Sequence, residues 1–65
     1  MKTKEQLIEE FILENKKNKD SISKHVAIYD NNPIEMRNKL AEWGIETTPS
    51  ELKTLIDILR LVVND

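Results

Sequence analysis

The sequence predicts an all-α fold: a small bundle of three to four short helices in orthogonal packing, with a largely buried C-terminal helix. Three observations carry that expectation. Helix-start chemistry recurs at three places, apolar residues recur at i, i+3, i+4 spacing, and no segment alternates apolar and polar residues for long enough to make a strand. The 65 residues suit one domain, 1–65, and folding a chain this short buries only about 60% of the surface that its unfolded form exposes. With no cysteine, neither a disulfide framework nor a thiolate metal site can reinforce it. Aliphatic packing has to supply the core.

A first helix, about 4–16, starts after Thr3, whose hydroxyl can take an orphan backbone N–H while Gln6 reaches back to the cap. Leu7, Ile8, Phe11 and Ile12 form its apolar face. The run Lys16-Lys17-Asn18-Lys19 closes it, since cations favour the negative end of a helix dipole. A second helix, about 21–30, is expected to be capped by Asp20 or Ser21 and to present Ile22, Val26 and Tyr29. A third, about 33–43, begins where Asn32 and Glu35 repeat the start signature and Pro33 occupies the first helical position, at which a missing N–H costs nothing. It offers Met36, Leu40 and Trp43. Gly44, the only glycine, can take the left-handed conformation that ends a helix, with Ile45 folding back onto Leu40.

The fourth helix, about 49–63, opens on Thr48, Pro49 and Glu51. Its polar residues Ser50, Lys53, Asp57, Arg60 and Asn64 fall on one narrow stripe, while Leu52, Leu55, Ile56, Ile58, Leu59, Leu61, Val62 and Val63 cover most of the rest. A surface helix needs a single buried stripe, so this one is expected to be either the central helix of the fold or half of a dimer seam.

The net charge of −2 provides no bulk attraction to nucleic acid or to an anionic membrane. Its distribution is uneven. Both ends are acidic, whereas residues 15–39 carry an excess of cations, from Lys16, Lys17, Lys19, Lys24, Arg37 and Lys39 against Asp20, Asp30 and Glu35. Within that stretch, ISKHVAIYD and NPIEMRNKLAEWGI, residues 22–45, are similar in outline to the helix-turn-helix of many small regulators, whose second helix often carries Arg or Lys and runs into Gly-Ile after a Leu. That resemblance implies helix-turn-helix-like packing and a DNA-binding surface made of Lys24, His25, Arg37, Asn38 and Lys39, with Asn38 suited to an adenine edge. Against it, Glu35 and Asp30 flank the end of the third helix that would approach the bases and would repel phosphates, and the cationic excess is small. The reading favours a bundle wall and keeps a DNA-binding regulator through residues 21–43 as the alternative.

Little in the chain suggests catalysis. His25 is the only histidine, so a zinc site would need a remainder made wholly of carboxylates, which zinc seldom uses; no metal and no cofactor are expected. A Ser-His-Asp set can be written on paper from Ser21 or Ser23, His25 and Asp20, but a nucleophile elbow and an oxyanion loop are hard to build with one glycine. Glu9, Glu10 and Glu14 read as solvated charge on a lysine-rich helix. The expectation is therefore a small non-enzymatic binding module, a protein–protein interaction or regulatory or inhibitory protein, with Trp43, Leu55, Ile58, Leu61 and Val62 as partner-binding anchors. Self-association through the C-terminal helix is part of that reading, and a segment that orders only on its partner is a third. The longest apolar run, Leu61-Val62-Val63, is far short of a membrane span and no apolar run follows Met1, so a soluble cytoplasmic protein is expected.

Overall fold

A computed structural model describes residues 1–64 as four α-helices: α1 (Lys4–Lys17), α2 (Lys19–Asn31), α3 (Pro33–Glu42) and α4 (Pro49–Val63). Two of the three expected start signatures are fully formed. At α1 the Thr3 hydroxyl accepts from the Gln6 N–H at 3.2 Å and the Gln6 Oε1 accepts from the Thr3 N–H at 2.9 Å. At α4 the Thr48 hydroxyl accepts from the Glu51 N–H at 3.2 Å, and Glu51 returns the contact at 3.0 Å.

Asn32 departs from the pattern. Its side chain accepts from the Ile34 N–H at 3.1 Å, while its own backbone N–H already donates to the Ile28 carbonyl at 2.8 Å as the last bond of α2. Glu35 is left with no donor to reach back to. Asn18 holds the same dual place between α1 and α2, its N–H donating to the Glu14 carbonyl at 3.1 Å, so α2 begins at Lys19 and neither Asp20 nor Ser21 caps it. Each of these asparagines closes one helix and opens the next, and both do so outside the helical region, with φ of −131° and −154°.

The end of α3 follows the expected stop. Gly44 has φ +84°, the Ile45 N–H reaches the Leu40 carbonyl at 2.9 Å and the Gly44 N–H reaches that of Ala41 at 3.0 Å, which is the paired bonding of a Schellman motif. Ile45 is thereby turned inward and buried.

Helix α2 packs against α1, α3 and α4, and α1 also packs on α4. The core consists of Phe11, Ile22, Met36, Leu40, Ile45, Leu52, Leu55, Ile56, Leu59 and Val62, half of it from α4. The burial of α4 is narrower than its composition led one to expect. Its inward residues fall at i, i+3, i+4, i+7 and i+10, Ile58 is half-buried, and Leu61 and Val63 face solvent. One stripe is covered rather than most of the circumference, because three short neighbours cannot surround a helix of fifteen residues. Exposed ion pairs tie its two ends, Lys4 to Glu51 at 2.8 Å and Arg60 to Asp30 at 2.7 Å. The Lys4 hydrogen bond, with the Thr48 backbone donor second, holds the Glu51 carboxyl down at about 2.

Candidate binding groove

Phe11 and Asn15 stand one turn apart on α1, so both point toward α2 and the end of α3. Asn15 occupies a core-facing position and is only 2% exposed, a burial that an amide tolerates only with its bonds made. Its Nδ2 donates to the Phe11 carbonyl at 2.7 Å, and its Oδ1 lies 3.0 Å from the His25 Nδ1. The first bond fixes which way the amide faces. The oxygen must then accept, so His25 carries a proton on Nδ1 and its neutral ring presents Nε2 as the acceptor.

Three rings meet here. His25 lies 5.1 Å from Phe11 and 5.8 Å, edge-on, from Trp43, and the Phe11 and Trp43 centroids are 5.6 Å apart, all within the range of favourable aromatic contact. Burial, and after it the positive charge of Lys39, pushes the His25 pKa below its ordinary 6.5. The imidazole is accordingly neutral near pH 7.

Beside these rings, along α1 from Leu7 to Asn15, lies an open groove of about 360 Å³. Leu7, Phe11, Trp43 and Ile45 supply its apolar surface, and Glu10 and Glu14, also one turn apart, are the carboxylates on its border. It is an apolar trough with a negative edge, sized for one or two side chains rather than for a large cofactor.

The partner-binding residues expected from the sequence separate into two groups. Trp43 is 49% exposed in the groove wall, Leu61 is 70% exposed on α4, and Ile58 is half-buried beside the core. Leu55 and Val62 instead belong to the core, 3% and 7% exposed, because they share the stripe of Leu52, Ile56 and Leu59. They face the protein's own interior, and that corrects their assignment as anchors. The residues of the DNA-binding alternative also separate: Lys24, Arg37 and Asn38 are exposed, Lys39 is half-buried close enough to His25 to lower its pKa, and His25 is turned into the groove toward Asn15.

Ser21 lines the groove with His25, but among the described residues no hydrogen bond joins Ser21, Ser23 or Asp20 to the imidazole, whose Nδ1 goes to Asn15. No group of three or more His, Cys, Asp or Glu side chains that could hold a metal ion occurs among the described residues, and no described helix is long and apolar enough to cross a membrane. Sequence reasoning overlooked Asn15. The signal was present, since it lies at i+4 from Phe11 on a row otherwise apolar. Comparison with protein-family models, with curated proteins and with solved structures finds no match to the chain.

Proposed function

We propose that this protein is a small non-enzymatic binding module, regulatory or inhibitory in role, that acts in the cytoplasm by docking a protein partner against the groove of α1, α2 and α3. The observation that carries the reading is Trp43, the only tryptophan, half-exposed in the wall of an apolar groove and backed by Phe11 and His25. Tryptophan in such a setting is the commonest anchor of protein interfaces, because it brings a large rigid apolar area with little rotamer entropy to lose. The Asn15 bonds hold the imidazole in one orientation, so part of the wall is set before a partner arrives. Exposed Leu61, with Ile58 beside it, provides a second apolar contact on α4 through which copies of the chain associate.

The test is affinity capture from a lysate of the organism that encodes the protein, with wild type and Trp43→Ala as paired baits. A protein retained by wild type and lost from Trp43→Ala, with both baits folded by circular dichroism, is the expected result. Equal retention by both baits removes Trp43 from the interface and the reading with it. Self-association is tested separately by solution mass at rising concentration, where Leu61→Glu is expected to give the monomer. Salt-sensitive binding of wild type to a short duplex at physiological ionic strength, abolished by the triple change Arg37→Ala, Asn38→Ala and Lys39→Ala, would replace a protein partner with DNA.

A further inference from the structure

The border of the groove states more about its occupant than the walls do. Among the described residues, Glu10 and Glu14 are the only charged side chains that line it, and Phe11 and Trp43 are its aromatic surfaces. We infer that the groove receives an arginine-bearing apolar segment of the partner protein, the guanidinium lying over the Trp43 ring and between the Glu10 and Glu14 carboxylates. This rests on the protein-docking reading and adds the chemistry of the partner.

Three features combine to select that side chain. An arginine stem is aliphatic and lies along an apolar wall while its charged end reaches the rim. A planar guanidinium stacks on an aromatic face, an attraction shared only in part by ammonium, and its donors fit carboxylate oxygens in pairs. Lys2, from the segment ahead of α1, makes an exposed ion pair with Glu10 from outside the groove. Such an exposed pair is weak and exchanges readily for a better-placed partner. The His25 ring in the wall adds no competing charge, since burial and Lys39 keep it neutral near pH 7, and Lys39 itself is not among the residues that line the groove. An acidic segment meets two carboxylates at the rim, and nucleic acid phosphates meet the same repulsion.

Trp43, as the sole tryptophan, makes the experiment direct, because its fluorescence reports occupancy of the groove without a label. The probes are two synthetic octapeptides with capped ends, one alternating Leu and Arg and the other Leu and Glu, titrated into the full chain at pH 7.5 and physiological ionic strength. The Leu-Arg peptide is expected to change the Trp43 emission saturably and to bind at least about tenfold more tightly than the Leu-Glu peptide. The double variant Glu10→Gln/Glu14→Gln, checked for fold by circular dichroism, is expected to bind the Leu-Arg peptide about fivefold more weakly. Glu35→Gln/Asp57→Asn removes the same charge outside the groove and is expected to leave that affinity unchanged.

Equal affinity for the two peptides overturns the inference while leaving a docking groove in place. Absence of binding by the Leu-Arg peptide, or an equal loss in both double variants, overturns it as well. The Trp43→Ala capture then decides the protein-docking reading independently, since it makes no use of the peptides.

Discussion

The α4 stripe and the groove side of this protein answer one requirement, burial against α2, with opposite materials. On α4 the contact is made by Leu52, Leu55, Ile56, Leu59 and Val62, all aliphatic and all buried. Across α1, α2 and the end of α3 it is made by Phe11, Asn15, His25 and Trp43, in which a buried amide bridges a backbone carbonyl and an imidazole, and a tryptophan stays half in water. Aliphatic packing is non-directional and favours whatever removes most area from water; a polar and aromatic cluster demands specific bond geometry and yields less burial. Stability is concentrated in the first region, while the second keeps surface available for another molecule.

Removing bulk from the α4 stripe sharpens that contrast most. Leu59 is fully buried, and Leu59→Ala is expected to cost about 2–5 kcal/mol, through lost transfer energy and the cavity left behind. A domain of this length has only about 3–10 kcal/mol in total. Urea unfolding should therefore show a midpoint lowered by a large fraction of the wild-type value, and a shift under about 1 kcal/mol would mean that the stripe is not the stabilising region.

The groove side should break more gently and for a different reason. Asn15→Ala leaves the His25 Nδ1 without its partner and takes from the Phe11 carbonyl the side-chain donor it holds beside its helical backbone bond, an expected loss of about 1–3 kcal/mol. Asn15→Asp keeps an acceptor for the imidazole but cannot donate to Phe11, and it is expected to raise the His25 pKa, readable by NMR of the ring protons. Unchanged ring resonances in Asn15→Asp would show that the amide and the imidazole do not interact in solution.

Gly44→Val tests the turn that carries Trp43 and Ile45 into place. A Cβ there meets only the Leu7 Cδ1, at 3.7 Å, so space is ample and the cost arises from the backbone, about 1–2 kcal/mol for a β-branched residue held at φ +84°. Gly44→Asn should recover part of it, because asparagine tolerates the left-handed region. Equal destabilisation by valine and asparagine in a thermal melt would assign the cost to crowding instead.

The dependence on pH separates the regions a second way, since the α4 stripe contains no titratable group. The folded-state pKa of His25 lies below 6.5, so the native state takes up its proton less readily than the unfolded chain. Its contribution is complete above pH 6.5 and is lost as pH falls through the lowered value. Melting temperature measured between pH 8 and 5 should fall with pH in wild type and more shallowly in His25→Gln. Glu51 acts in a lower window: with its pKa held near 2, its contribution is present above about pH 4.5 and lost as pH falls toward 2. An equal slope in wild type and His25→Gln over the upper window would remove the imidazole from the account.

The smallest expected effect lies at the loop between α3 and α4. Among the described residues the buried Thr47 hydroxyl has no hydrogen-bond partner, a local cost. Thr47→Val replaces the hydroxyl with a methyl of similar size and is expected to leave stability unchanged or raise it by up to about 1 kcal/mol. A clear loss in the melt would reveal a bond made by that hydroxyl in solution.

How much of this was readable before folding follows the range of the interactions concerned. The caps at Thr3 and Thr48 and the stop at Gly44 involve groups within a few residues of one another, so their chemistry is written in adjacent letters. Asn18 and Asn32 were harder. A start signature assumes a cap whose own N–H awaits a partner, and at both positions the preceding helix had already used that donor, which moved the beginning of α2 forward and dissolved the box at Asn32.

The sequence by itself determined four helices, the residue types of their inner faces and the absence of any thiolate chemistry, because propensity, capping and periodicity act locally. Only the tertiary structure decided that Leu55 and Val62 face inward while Leu61 stays exposed, and that Asn15, His25 and Trp43 meet. A wide apolar arc on a helix is compatible with several rotations about its axis, and which one is taken depends on neighbours distant in the chain. The groove has the same origin: its walls and acidic border come from α1, α2 and the end of α3, and no short window of sequence contains them together.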